Sequence, residues 1–133
     1  MSAVPLPEPL QPYASKLSAG RVRRHVFLCA QQTTPKCSTF EQSTEVWEYL
    51  KRRVRELGID GMKPPPPGTD CPLLVHRNKV DCLRICTNGP IAVVYPEGIW
   101  YHSVSVPVME RILIEHVIGG VPVEDHVLAR APL

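Results

Sequence analysis

His25-Val26-Phe27-Leu28-Cys29 is a short apolar run of the kind a buried β-strand needs, and it ends on a cysteine. Strand therefore becomes loop at a thiol. Residues 30–42 are polar, contain Pro35 and Cys37, and read as a loop. Ser43 or Thr44 then offers a helix N-cap, with Glu45 in the first turn. Val46, Trp47, Leu50, Val54 and Leu57 recur at helical spacing, and Gly58 supplies a stop. Lys51, Arg52 and Arg55 fall on the opposite face. The pattern predicts an amphipathic helix laid on a sheet, with Trp47 in the core.

Further along, Pro72-Leu73-Leu74-Val75-His76 reads as a second strand, and Asp81 to Asn88 as a loop or short helical turn. Pro90 to Tyr95 is apolar and β-branched, Pro96-Glu97-Gly98 is turn chemistry, and Ile99 to Val104 is the hairpin partner. Ser105 caps a last major helix with Pro107 in its first turn. Its stripe is Val108, Met109, Ile112, Leu113, Val117 and Ile118, and Gly119-Gly120 ends it. Pro122 to Ala129 adds at most a short helical turn. This order predicts an α/β fold, a thioredoxin-like sandwich whose small mixed sheet is flanked by two main helices.

The 133 residues suffice for one domain with one core. Residues 1–20 hold Pro5, Pro7, Pro9 and Pro12 and few large apolar side chains, so a disordered or loosely docked tail is expected before a domain at 21–133. Pro64 to Pro67 impose polyproline II on a surface connector. No apolar run reaches the roughly 18 residues of a membrane span. The N-terminus lacks the basic and apolar regions of a secretory signal, which places the chain in the cytoplasm. The net charge of +2 is too small for a nucleic-acid footprint. The first half is basic and the last quarter acidic, which marks solvated faces or a docking patch for an acidic partner.

In the reducing cytoplasm, clustered cysteines indicate metal binding or redox chemistry rather than a disulfide framework. Four of the five cysteines fall in two pairs, Cys29 with Cys37 and Cys82 with Cys86, and Cys71 is left over as a spare thiol. Four thiolates from two distant loops select iron–sulfur clusters, zinc or copper(I). Disulfide exchange wants Cys-x-x-Cys at a helix N-terminus, and none occurs. Cys29-x₇-Cys37 is too open for a usual zinc knuckle, which leaves a zinc-stabilised binding module as the weaker alternative. The five histidines lack the cysteine pairing of a Rieske site and read as structural or surface groups. Catalytic motifs are absent, so an enzyme is not expected.

Cys-x₇-Cys after a first strand, Cys82-Leu83-Arg84-Ile85-Cys86-Thr87-Asn88-Gly89-Pro90, and Val93-Val94-Tyr95-Pro96-Glu97-Gly98-Ile99-Trp100-Tyr101 occur in order. From about Arg24 to Leu133 the chain resembles the thioredoxin-like [2Fe–2S] ferredoxins, the Shethna-type group related to the small cluster subunit of respiratory complex I. The resemblance implies cluster ligands Cys29, Cys37, Cys82 and Cys86, one [2Fe–2S] cluster, one-electron transfer with partner proteins, and homodimerisation. Family members vary in the loop that carries the second cysteine, here Cys37. The alternative function it implies is redox-controlled docking on, and protection of, a larger enzyme. An oxidised cluster on four thiolates carries a charge of about −2, which is costly to bury without donors. Backbone N–H groups of residues 30–37 and 83–89 are placed to supply them, and Gly89 permits close approach. Lys36, Lys79 and Arg84 neighbour the ligands. Trp100 and Tyr101 are expected to shield the cluster.

Overall fold

The structure, a computed structural model, describes residues 5–18, 22–60, 74–85 and 87–131. The polyproline connector, Cys71 and Cys86 lie outside the described residues. A 3₁₀ turn at Glu8–Leu10 leads into α1, Gln11–Ser18. Pro9 and Pro12 fall in first turns, where a missing N–H costs nothing. Leu10 and Tyr13 are exposed.

The sheet contains β1 (Val22–Cys29), β2 (Leu74–Val80), β3 (Ala92–Tyr95), β4 (Ile99–Tyr101) and β5 (Val127–Arg130), in spatial order β2-β1-β3-β4-β5. β1 pairs with β2 in parallel and all other pairs are antiparallel, so the sheet is mixed, as the element order requires. Two differences from the sequence reading arise at the edges. β2 runs on to Val80, because an edge strand tolerates polar Arg77, Asn78 and Lys79. β5 occupies the segment read as a possible helical turn, and only Glu124–His126 is helical there.

The main helix α2 spans Phe40–Glu56 and begins earlier than Ser43 or Thr44. Thr39 is the cap: its hydroxyl accepts the Gln42 N–H at 3.1 Å, while the Gln42 side chain accepts the Thr39 N–H at 3.0 Å. This reciprocal box satisfies two orphan donors, which a lone Ser43 cap does not. Gly58 sits just past the helix at φ +71°, the left-handed conformation that favours glycine.

The last helix, α3 (Val106–Arg111), is capped by Ser105 and continues as a π-helical segment, Ile112–Ile118. The wider π turn rotates the apolar stripe. His116 is thereby buried, while Ile118, expected in the stripe, is 45% exposed.

Both helices lie on the same face of the sheet. Strand residues Val26, Leu28, Ala92, Val94, Ile99 and Tyr101 meet Trp47, Leu50 and Val54 of α2 and Met109, Ile112 and Leu113 of the last helix in one core. Each such fully buried side chain contributes about 1.5–3 kcal/mol of transfer free energy. Arg53 and Tyr49 of α2 both bond Glu110 of α3, tying the helices together.

The strands point their alternate residues away from the helices. There Cys29, Cys37 and Ile91 form a second, small cluster with Val80, Leu83, Ile85 and Trp100 packed on it. Tyr101 was expected to join this shield. Alternation turns it to the helix side, where its hydroxyl lies 2.8 Å from His116 Nδ1 and accepts the Val123 N–H at 3.1 Å.

Candidate metal centre

Cys29 is the last residue of β1, held between two neighbours. Its N–H donates to the Ile91 carbonyl at 3.0 Å, and the next N–H, of Ala30, donates to the Val80 carbonyl at 3.1 Å. The thiol is fixed where β2 ends and β3 is about to begin. Gln31 then takes φ +51° and turns the chain outward. Its N–H donates to Ser43 Oγ of α2 at 3.1 Å, and Lys79 bonds its side-chain oxygen.

Two ties bring the loop holding Cys37 against the loop holding Cys82. The Thr33 N–H donates to Asp81 Oδ1 at 2.6 Å, and the Gly89 N–H donates to the Cys37 carbonyl at 2.8 Å. Gly89 has no room for a side chain: a Cβ there would stand 2.6 Å from Cys37 Sγ. This is the close backbone approach expected of that glycine. Cys37 is 7% exposed, with Gln32 Oε1 3.7 Å from its sulfur.

The second loop presents Cys82 at the surface. Arg84 and Asn88 adopt φ +65° and +53°, and the Arg84 N–H donates to Cys82 Sγ at 3.1 Å. The Leu83 N–H favours the Cys29 thiolate. Left-handed residues fold the loop so that its N–H groups aim inward at sulfur, as a site for negative charge requires. A cleft of about 350 Å³ lies between the loops, lined by Gln32, Thr33, Thr34, Lys36, Asp81, Cys82 and Ile85.

The structure thus unites three of the four candidate ligands. Cys29 and Cys37 are free thiols, and Cys29 feels the charges of both Cys37 and Cys82. Cys86 lies outside the described residues, four positions past Cys82 in the same loop. Burial, helped by the neighbouring sulfurs of Cys37 and Cys82 and partly opposed by the Leu83 N–H, pushes the Cys29 thiol up to about 12. Bare thiolates repel one another in this pocket, so it is suited to cations that take the protons' place. Among the described residues no three His, Cys, Asp or Glu side chains converge on a single point. A two-iron cluster distributes four thiolates over two irons, which fits a pair of sulfurs from each loop. Backbone N–H donors to Cys29 and Cys82 and the walls supplied by Ile91 and Trp100 fit the same group.

Reading the sequence alone missed Gln32, Ser43 and Asp81, which buttress the loops. Asp81 directly precedes Cys82, but nothing local indicates that the N–H its carboxylate accepts lies on residue 33. The histidines stay out of the site: His116 is a buried structural group, and the rings of His25 and His76 lie side by side at a tilt on β1 and β2.

No protein-family model matches the chain. It is 31% identical over 99 residues to a 2Fe-2S ferredoxin of Clostridium pasteurianum, covering 74% of this chain and 88% of that protein. A 2Fe-2S ferredoxin of Aquifex aeolicus is 29% identical over 114 residues, covering 80% and 90%. The solved thioredoxin-like [2Fe-2S] ferredoxin of Aquifex aeolicus superimposes with a TM-score of 0.64 at 26% identity, over 84% of this chain and 96% of the other. Sheet order, the paired cysteine loops and these likenesses agree: the chain belongs to the thioredoxin-like [2Fe–2S] ferredoxins, carriers of electrons on a [2Fe–2S] cluster.

Proposed function

We propose that Cys29, Cys37, Cys82 and Cys86 hold the single [2Fe–2S] cluster, and that the chain is an electron carrier rather than an enzyme. When bound, the cluster takes up and releases one electron. The observation that carries this reading is that two loops bring Cys37 and Cys82 close enough to buried Cys29 for their charges to raise its pKa, with the Arg84 N–H donating to Cys82 Sγ at 3.1 Å. Such donors favour the thiolate forms and, with solvent exposure, set the potential. Ile91 and Trp100 exclude water on the inner side, whereas Cys82 opens the outer side to a partner.

The working unit is the domain at residues 21–133, with residues 1–20 as an appended tail. Its partners are a reductase and an acceptor protein in the cytoplasm. Among the described residues no helix is long and apolar enough to cross a membrane. A second copy of the chain is a further partner, and exposed Ile114, Ile118 and Val121 support an apolar self-contact at the last helix. Light scattering of the eluted protein tests the dimer.

Purification without oxygen tests the cluster. The expected product is red-brown, with about two irons and two acid-labile sulfides per chain. One bound zinc with no sulfide rejects the reading in favour of a zinc-stabilised module.

A further inference from the structure

The described surface pairs most of its cations with carboxylates. On α2, Lys51 meets Glu48, Arg52 meets Glu56, Arg53 meets Glu110 and Arg55 meets Asp60, all within 4 Å. Near the C-terminus Arg111 pairs with Asp125 and Glu115, and Arg130 with Glu124. The helix face that looked basic in sequence is therefore largely neutralised.

Lys36, Lys79 and Arg84 differ. All three are exposed, and among the described residues none has a carboxylate at ion-pair distance; Lys79 bonds only the neutral amide of Gln31. Lys36 lines the cleft beside Cys82, Arg84 sits two residues past it, and Lys79 stands at the end of β2, two residues before Asp81. Arg84 is moreover held at φ +65°, a conformation glycine adopts freely and which costs an arginine about 1 kcal/mol or more. A long cationic side chain stands where the backbone alone favours glycine. Asp81 is the one acid in the cleft, and its carboxylate accepts the Thr33 N–H.

We propose that Lys36, Lys79 and Arg84 form a cationic collar around the cysteine loops that docks the acidic face of a redox-partner protein against Cys82. The collar offsets the negative charge of the cluster where it nears the surface, so an acidic partner is not repelled at the point of electron transfer. Such steering acts on the association rate and is weakened by salt. The proposal rests on the electron-carrier reading.

The test uses the cluster-loaded protein and a triple variant, Lys36→Glu, Lys79→Glu and Arg84→Glu. A second triple, Lys51→Glu, Arg52→Glu and Arg55→Glu on α2, makes the same change in net charge away from the collar. Stopped-flow reduction is followed with an anionic probe, the sulfur dioxide radical anion from dithionite, and a cationic one, the methyl viologen radical. Reversing the collar is expected to slow the anionic probe about tenfold at low salt, to speed the cationic one, and to lose both effects at high salt. The α2 triple is expected to change either rate far less. Poly-L-glutamate is expected to bind the wild type, by calorimetry at low salt, and not the collar variant. Equal effects of the two triples reduce the collar to net charge and overturn it. A shifted midpoint potential with unchanged probe rates and polyglutamate binding also overturns it, leaving cluster tuning. Wild type that carries zinc without sulfide fails the electron-carrier reading instead, which the iron and sulfide content registers separately.

Discussion

The two faces of the sheet close by different physics. Toward the helices, strand residues bury against α2 and the last helix in a continuous apolar core, and Tyr101, His116, Glu97 and Arg24 form a polar chain at its edge. Tyr101 receives the Val123 N–H and donates to His116 Nδ1, so the imidazole carries its proton on Nε2 and donates to Glu97 at 2.8 Å. Arg24 completes the chain at 2.7 Å from Glu97. This face needs nothing from outside. Toward the cysteines, the apolar cluster is small, its centre is a set of mutually repelling sulfurs, and its outer rim is open at Cys82. On the proposed assignment, that face is finished when metal replaces the thiol protons. A fold thus separates what makes it stable from what makes it reactive by using opposite sides of the same strands.

The sharpest way to break this comparison is to remove a proposed ligand. Cys29→Ala or Cys82→Ala is expected to abolish or badly deplete the cluster, read as lost visible absorbance and iron content. The far-UV circular dichroism is expected to persist, because the helix-side core is untouched. Unfolding of the whole chain on loss of Cys82, an exposed residue, contradicts the division of labour.

Gly89→Ala is expected to act next most strongly. Its new Cβ meets Cys37 Sγ at 2.6 Å and the Cys37 carbonyl at 3.0 Å, so the two loops must move apart. Iron and sulfide per chain are expected to fall severalfold, with little change in the spectrum of the helices. Full cluster occupancy in this variant rejects the tight cradle around Cys37.

On the helix side, Tyr101→Phe leaves the Val123 N–H and His116 Nδ1 without their partner. It is expected to cost about 1–3 kcal/mol in denaturant unfolding and to leave the cluster spectrum unchanged. The same network sets an acid limit. Burial lowers the His116 pKa despite Glu97. Glu97 is pulled up by burial, but Arg24 and His116 outweigh this and hold it below its usual range. Both groups bind protons less readily folded than unfolded, so stability is present above their ordinary values and falls with pH. The loss begins below 6.5 through His116 and continues below 4.5 through Glu97. Glu97→Gln is expected to flatten the lower part of that curve in urea titrations.

The smallest effect is expected from Cys71→Ser. Cys71 lies outside both loop pairs, and its replacement is expected to leave cluster content and absorption as in the wild type. Bleaching by Cys71→Ser while Cys37→Ser stays coloured reassigns the fourth ligand.

Much of this was legible in the chain. Local chemistry determined β1 from its apolar run, the stripe of α2 from its 3.6-residue period, the turn at Pro96-Glu97-Gly98, the Ser105 cap, and the loops that carry cysteines, because each is specified by residues within a few positions of one another. Tertiary structure decided the rest. The Thr39 cap is partly local, since Gln42 three residues on reciprocates, but Ser43 is drawn away by the Gln31 N–H of the cysteine loop. A π turn exchanged Ile118 for His116 in the core because Glu97 and Tyr101, on other elements, were waiting to satisfy the imidazole. β5 formed because β4 offered an open edge. The site shows the same division: sequence singled out the cysteine pairs, but the approach of the two loops depends on Thr33 reaching Asp81 and Gly89 reaching Cys37 across about fifty residues of chain. Such long-range pairings carry no local signature, since a backbone N–H is the same in every residue but proline and only the folded chain decides which acceptor it meets.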